Sequence, residues 1–257
     1  MLEIAGQVFN PRLVIFDKDG TLIDFHLLWH TWFARLLYEL ERLTPFTDEL
    51  HHAIAGTLGY QVADDTWQPE GPLTLAPISE IRLLIAGQLY RYQHLTWNQA
   101  VTLVNNVEAT VRTNLPFEDL VRPVGDVRGL LQRMRASGLL LAVATSDVRQ
   151  ITEISLRAAR INDLLDAVIC ADDGIPVKPA PDAVEEICRQ LNIAPAQAIM
   201  IGDSVDDITM AHSAGLMAAV GISSGASPAS SLAPYADVVI GDIQDIHIIT
   251  DEQERVR

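Results

Sequence analysis

The sequence predicts an α/β fold: a parallel-sheet core with helices on both faces, interrupted by an inserted all-α helical bundle. Two observations predict the sheet. Short apolar runs bounded by polar turns alternate with helical patterns, as βαβ units covered on both faces require. Several of those runs end in clusters of Asp, Thr, Ser and Gly, where ligands bind in open parallel sheets. A third observation predicts the insertion: residues 24–121 show apolar residues at helical spacing and no strand pattern. The core is therefore expected in 1–23 and 122–257, and the helical insertion in 24–121.

Arg12–Phe16 is apolar and followed by a Gly-containing turn, which suits a buried strand. In His26–Leu43 the positions Leu28, Trp29, Trp32, Phe33, Leu36, Leu37 and Leu40 form a helical stripe that stops near Pro45. Thr47–Leu58 is a second helix, stopped by Gly59. Gly59–Pro77, with Pro69, Gly71 and Pro72, reads as a long loop. Ile78–Tyr92 is a third helix. Thr96 caps a fourth, carrying Trp97, Val101, Val104, Val107 and Val111 and ending before Pro116. Beyond it, helices at Asp126–Ser137, Val148–Arg160, Ala180–Leu191 and Val205–Ala214 alternate with strands at Leu139–Ala144, Ala167–Cys170, Ala198–Ile201 and Leu216–Val220. Ala236–Ile240 is the last strand. The polar tail Asp251–Arg257 is the one segment expected to lack order.

Hydrophobic residues make up 49% of the 257, enough to bury a full core. The net charge of −16 repels phosphate backbones, which argues against nucleic-acid binding. It also repels small phosphorylated molecules at long range, so any phosphate site must bring its own cations. Cys170 and Cys188 have neither disulfide nor metal-ligand spacing and are expected as buried thiols. The start of the chain has no basic stretch followed by a long apolar one, and no apolar run approaches the roughly 20 residues that cross a bilayer. A cytoplasmic protein, monomer or homodimer, without membrane contact is the expectation.

The predicted strand ends carry the chemistry. Arg12–Phe16 ends in Asp17-Lys18-Asp19-Gly20-Thr21, and Leu139–Ala144 in Thr145-Ser146-Asp147. Lys178 follows Cys170 in a loop, and Ala198–Ile201 ends in Gly202-Asp203-Ser204-Val205-Asp206-Asp207. Parallel-sheet geometry brings these tips to one edge. Clustered carboxylates repel and need a cation, and oxygen-only donors suit Mg²⁺. Lys178 adds a positive charge, Thr145 a hydroxyl donor, and the backbone around Gly20 N–H donors. The chain has only two lysines, Lys18 and Lys178, among 18 Lys plus Arg. An ammonium is a compact point charge that suits a crowded phosphate site better than a guanidinium fork.

Asp17-Lys18-Asp19-Gly20-Thr21-Leu22, then Thr145, then Lys178-Pro179, then Gly202-Asp203-Ser204-Val205-Asp206-Asp207 resembles the four ordered motifs of the haloacid dehalogenase-like hydrolase superfamily. The spacing and the helical insertion are similar to its phosphoglycolate phosphatase-like branch. The resemblance spans essentially the whole chain. It implies a Rossmann-like core with an α-helical cap and a Mg²⁺-dependent phosphatase acting on a small phosphorylated metabolite.

Residue by residue, the resemblance implies that Asp17 attacks phosphorus and becomes an aspartyl-phosphate, while Asp19 serves as general acid and base. The carboxylates of Asp17 and Asp203 and the backbone carbonyl of Asp19 hold the metal. Thr145 and Lys178 hold the transferring phosphoryl group, with Gly20, Thr21 and Ser146 completing the substrate-binding set. Asp207 supports the metal through water or orients Lys178. Asp206 is expected to face elsewhere, and Asp147 to cap the following helix. Lys18 stands where the family commonly has an apolar side chain, and is expected to point away from the phosphate. The pairing of Asp17 with Asp19 argues for phosphate esters over dehalogenation.

The cap looks longer than a simple four-helix version, with the excess in the Gly59–Pro77 loop. Candidate readers of the leaving group are His26, Trp29, His30 and the arginines Arg35, Arg42, Arg82, Arg91 and Arg112. His51-His52 is expected at the surface. Two alternatives accompany the phosphatase reading. One is a sugar phosphomutase using the same intermediate. The other is a non-catalytic binding protein, whose mark would be loss of Asp17, Asp19, Lys178 or Asp203.

Overall fold

A computed structural model describes residues 1–63, 66–176 and 178–249; the tail Asp251–Arg257 lies outside them. Its contacts divide the chain into two compact units, 1–25 with 118–257, and 26–117.

The first unit is built on a six-stranded parallel sheet. Its spatial order is Val238–Ile240, Ala218–Ile222, Ala198–Gly202, Leu13–Phe16, Leu140–Ala144, Ala167–Ile169. Both faces are covered, and the strands show it residue by residue. Val14, Phe16, Leu141, Val143, Ile199 and Ile201 belong to one apolar cluster. Leu13, Ile15, Ala142, Ala144, Ala198 and Met200 belong to the other. Alternate side chains of a strand leave opposite faces, so a strand buried twice reads as a continuous apolar run. That is why these strands are visible in the sequence.

Leu13–Phe16 sits centrally, and the chain builds the sheet first to one side of it and then to the other. Such a reversal opens a crevice at the strand's carboxyl end. The register pairs Phe16 with Val143 and with Ile201. Asp17 N then donates to Ile201 O at 2.9 Å, and Thr145 N to Ile169 O at 3.0 Å. These bonds carry the ladder one residue past the strand ends and fix where the next side chains start.

The helices of this unit are Val127–Ala136, Arg149–Ala158, Asp182–Leu191, Val205–Ser213 and the short Phe117–Leu120 and Ala229–Leu232. Sequence reading missed a second sheet here: Ile246–Ile248, Leu2–Ile4 and Gln7–Phe9 pair antiparallel. Three-residue strands are too short to display a period of two. Asp24 N donates to Arg122 O at 2.7 Å and Val124 N to Leu22 O at 3.0 Å. The chain therefore leaves and re-enters this unit at adjacent points.

The second unit is mainly helical, with Asp48–Leu58, Ile78–Tyr92 and Trp97–Asn114 as expected and Phe25–Leu43 leading in. Thr47 accepts from Leu50 N, and Gly59 closes its helix in the left-handed region at φ 76°. Thr96 and Gln99 form a capping box. The expectation of a strand-free insertion with a structureless Gly59–Pro77 is corrected. Tyr60–Gln61 pairs antiparallel with Thr66–Trp67, and Pro72–Leu75 forms one helical turn. Phe33 packs edge-on against Tyr60 and Trp67, which gives this small hairpin an apolar seat that its own sequence does not announce. No described helix is long and apolar enough to cross a membrane.

Candidate active site

Three strand tips and one loop converge at the carboxyl edge of the sheet. Asp17, Asp203 and Asp207 are buried, with one carboxylate oxygen of each within 4.8 Å of the others. Burial pushes the Asp17 carboxyl up to about 7, against the pull of Lys178. Burial likewise raises Asp203 well above the carboxylate range, with Asp17 and Asp207 adding to it. Such a group is uncomfortable when ionised and lacks enough positive charge of its own. Its donors are all hard oxygens at one point, so the residues fit a divalent cation of the magnesium kind.

Lys178 supplies what charge there is. Its ammonium is bonded to Asp17 Oδ1 and lies 2.6 Å from Asp207 Oδ1. Burial works against that ammonium, but Asp17 and Asp207 outweigh it and hold the proton on. Asp207 is itself held in place. Its Oδ2 accepts from Ser204 Oγ at 2.6 Å and from Ser204 N at 3.2 Å, while Ser204 Oγ accepts from Asp207 N at 3.2 Å. This reciprocal cap starts the Val205–Ser213 helix. Asp207 thus faces Lys178 and groups with Asp17 and Asp203. Asp206 is half-buried and stands outside the carboxylate group.

Gly20 takes φ 83°, and a Cβ there would overlap the Asp203 carboxylate. Glycine is needed for both the backbone region and the close approach. Gly20 N donates to Ile23 O at 2.7 Å, so this N–H is engaged in the turn, which removes it as a phosphoryl donor. Thr21 is fully buried and its Oγ1 has no partner among the described residues. Thr145 Oγ1 accepts from Asp147 N at 3.2 Å, which leaves the hydroxyl hydrogen to donate elsewhere. Ser146 is half-buried.

Sequence reading missed two features. Ala226 N donates to Asp203 Oδ2 at 2.7 Å, and Gly225 lies so close that a Cβ would overlap both Asp203 and the Gly20 carbonyl. The Ser223-Ser224-Gly225-Ala226 run after the Ala218–Ile222 strand was the available signal. The second feature corrects the expectation that Asp147 caps the following helix. Lys18 is fully buried; its ammonium donates to Asp19 Oδ1 at 2.5 Å and lies 3.3 Å from Asp147 Oδ2. Lys18 is thus tied to the expected acid–base residue. Asp147 is not the helix cap, a place taken by Val148 without a side-chain bond. Asp147 faces inward, its Oδ1 accepting from Val148 N at 2.8 Å. Burial pushes its carboxyl up to about 6, partly offset by Lys18.

In the helical unit, Arg35 and Arg42 pair with Glu39, and Arg91 lies over Tyr92. Arg82 and Arg112 converge on the buried Glu108 at 3.5 and 3.4 Å. Each of the five arginines already has a partner within its own unit. His26 is exposed, while Trp29 and His30 are half-buried. His52 is exposed and His51 half-buried against Phe46. Cys170 and Cys188 are buried free thiols, each pushed up to about 11 by burial.

Residues 11–215 match the family model described as haloacid dehalogenase-like hydrolase. The chain is similar to pyrophosphatase PpaX of Bacillus anthracis, 26% identical over 255 residues and covering 94% of this chain and 97% of that one. Among solved structures, a predicted phosphoglycolate phosphatase from Haemophilus somnus superposes with a TM-score of 0.70. It is 20% identical, with 93% and 97% of the two chains covered. A "putative beta-phosphoglucomutase" from Thermotoga maritima gives a TM-score of 0.63 at 21% identity, with 89% and 94% covered.

Proposed function

The chain belongs to the haloacid dehalogenase-like hydrolases and is a phosphatase-type enzyme; we propose that it is Mg²⁺-dependent and hydrolyses a small phosphorylated metabolite through an aspartyl-phosphate on Asp17. The observation that carries this reading is the placement of Asp17. Its carboxylate is buried, bonded to Lys178 and grouped with Asp203 and Asp207. Such an oxygen is poised as a nucleophile toward a group that brings its own negative charge.

In this reading an Asp17 oxygen attacks phosphorus while the bond to the leaving oxygen breaks, and Asp19 hands that oxygen a proton. Water then attacks the aspartyl-phosphate, Asp19 takes its proton, and phosphate leaves. Lys178 and the Thr145 hydroxyl hold the phosphoryl oxygens as charge builds on them. Asp207 keeps Lys178 aimed. A Mg²⁺ held by Asp17, Asp203 and the Asp19 carbonyl would supply the remaining positive charge.

The phosphoglycolate and sugar phosphate class follows from resemblance in fold. Inorganic pyrophosphate is a second reading, favoured by a full-length relative that carries the name pyrophosphatase. Phosphate release from phosphoglycolate, sugar phosphates and pyrophosphate, with Mg²⁺ and with EDTA, separates them. Asp17→Asn is expected to abolish turnover of every substrate at unchanged melting cooperativity. Substantial remaining activity would refute the nucleophile assignment.

A further inference from the structure

We propose that Lys18 is a positioning residue for the acid–base carboxylate of Asp19, anchored from behind by Asp147; this rests on the phosphatase reading above. An ammonium with no exposed surface is costly unless paired. Lys18 has no exposed surface, and its charge is met from two sides, by Asp19 Oδ1 at 2.5 Å and Asp147 Oδ2 at 3.3 Å. The two partners differ in freedom. Asp147 is buried, its backbone N–H donating to Thr145 Oγ1 and its Oδ1 accepting from Val148 N. It is therefore a fixed post. Asp19 keeps a partly exposed side chain and lies outside the Asp17, Asp203 and Asp207 group, so nothing in that group orients it.

Lys18 is thus a strut from a buried carboxylate to a partly exposed one. It occupies one oxygen of Asp19 and leaves Oδ2 for the proton that passes to the leaving oxygen. Asp147 N also holds the Thr145 hydroxyl, so the same post steadies the expected phosphoryl donor. An apolar residue at position 18 could fill the space but could not hold Asp19 in one rotamer.

The test separates positioning from packing through the leaving group. Dinitrophenolate departs without a proton, whereas an alkoxide needs one from Asp19. The experiment compares kcat/KM for glycerol 2-phosphate and for 2,4-dinitrophenyl phosphate, with Mg²⁺, in wild type, Lys18→Met and Lys18→Met/Asp147→Asn. The double variant removes the buried carboxylate charge that the single variant orphans, and its thermal melting checks the fold. Expected is a loss for the glycerol ester at least about tenfold larger than for the dinitrophenyl ester, in both variants, within the range general acid catalysis contributes. Equal losses for the two esters, no loss for either, or recovery of the glycerol ester in the double variant would overturn the proposal. A wild type inert toward both esters would instead sink the phosphatase reading, and this inference with it.

Discussion

At Lys178 the kind of cation is set by the two carboxylates it serves. The ammonium sits buried between Asp17 and Asp207, and a guanidinium is wider, planar and committed to a fork geometry. Lys178→Arg keeps the charge and loses the fit. We expect kcat/KM to fall by about 10²-fold or more, the scale of losing one charge-stabilising donor, while Mg²⁺ binding followed by calorimetry persists. Retention of near wild-type turnover would show that charge alone suffices. Lys178 was legible in sequence because it is one of two lysines and follows a predicted strand. The burial of Lys18 between Asp19 and Asp147 was not. Its burial depends on Asp147, far downstream, and no local pattern reports a partner at that distance.

The Val205–Ser213 helix ties stability to chemistry through its first turn. Ser204 caps the helix and holds Asp207, and Asp207 faces Lys178. Ser204→Ala removes the cap oxygen, at a cost of about 1 kcal/mol in stability, read as a lower melting temperature. It also frees the Asp207 carboxylate. Turnover is therefore expected to fall by more than lost stability explains at a temperature where the variant is fully folded. If activity per folded molecule is unchanged, Asp207 does not orient Lys178. The six core strands and their helices were legible because burial on both faces writes continuous apolar runs. The antiparallel sheet of Leu2–Ile4, Gln7–Phe9 and Ile246–Ile248 was not. Its strands are short, and its pairing joins the two ends of the described chain. Asp147 was misread for a related reason: a Thr-Ser-Asp run before a helix has the composition of a cap, and only the packing shows it turned inward.

For the molecule as a whole, the net charge of −16 and the carboxylate group at the sheet edge make metal and pH a single variable. Burial raises Asp17 to about 7 in the folded protein, whereas an unfolded Asp titrates near 4. Between those values the folded state holds a proton that the unfolded chain has released. Asp17 therefore stabilises the metal-free protein below the unfolded value, and that contribution fades as pH rises through about 7. In the proposed reading Mg²⁺ would reverse the balance, because it would bind the ionised carboxylates with an affinity that rises as they lose their protons. A ligand at 100 times its Kd adds about 2.7 kcal/mol. At one fixed Mg²⁺ concentration the rise in melting temperature is thus expected to be clearly larger at pH 8 than at pH 5.5. In Asp17→Asn it should be small at both. Equal rises at the two pH values in the wild-type protein would mean that the cation binds elsewhere than at Asp17, Asp203 and Asp207.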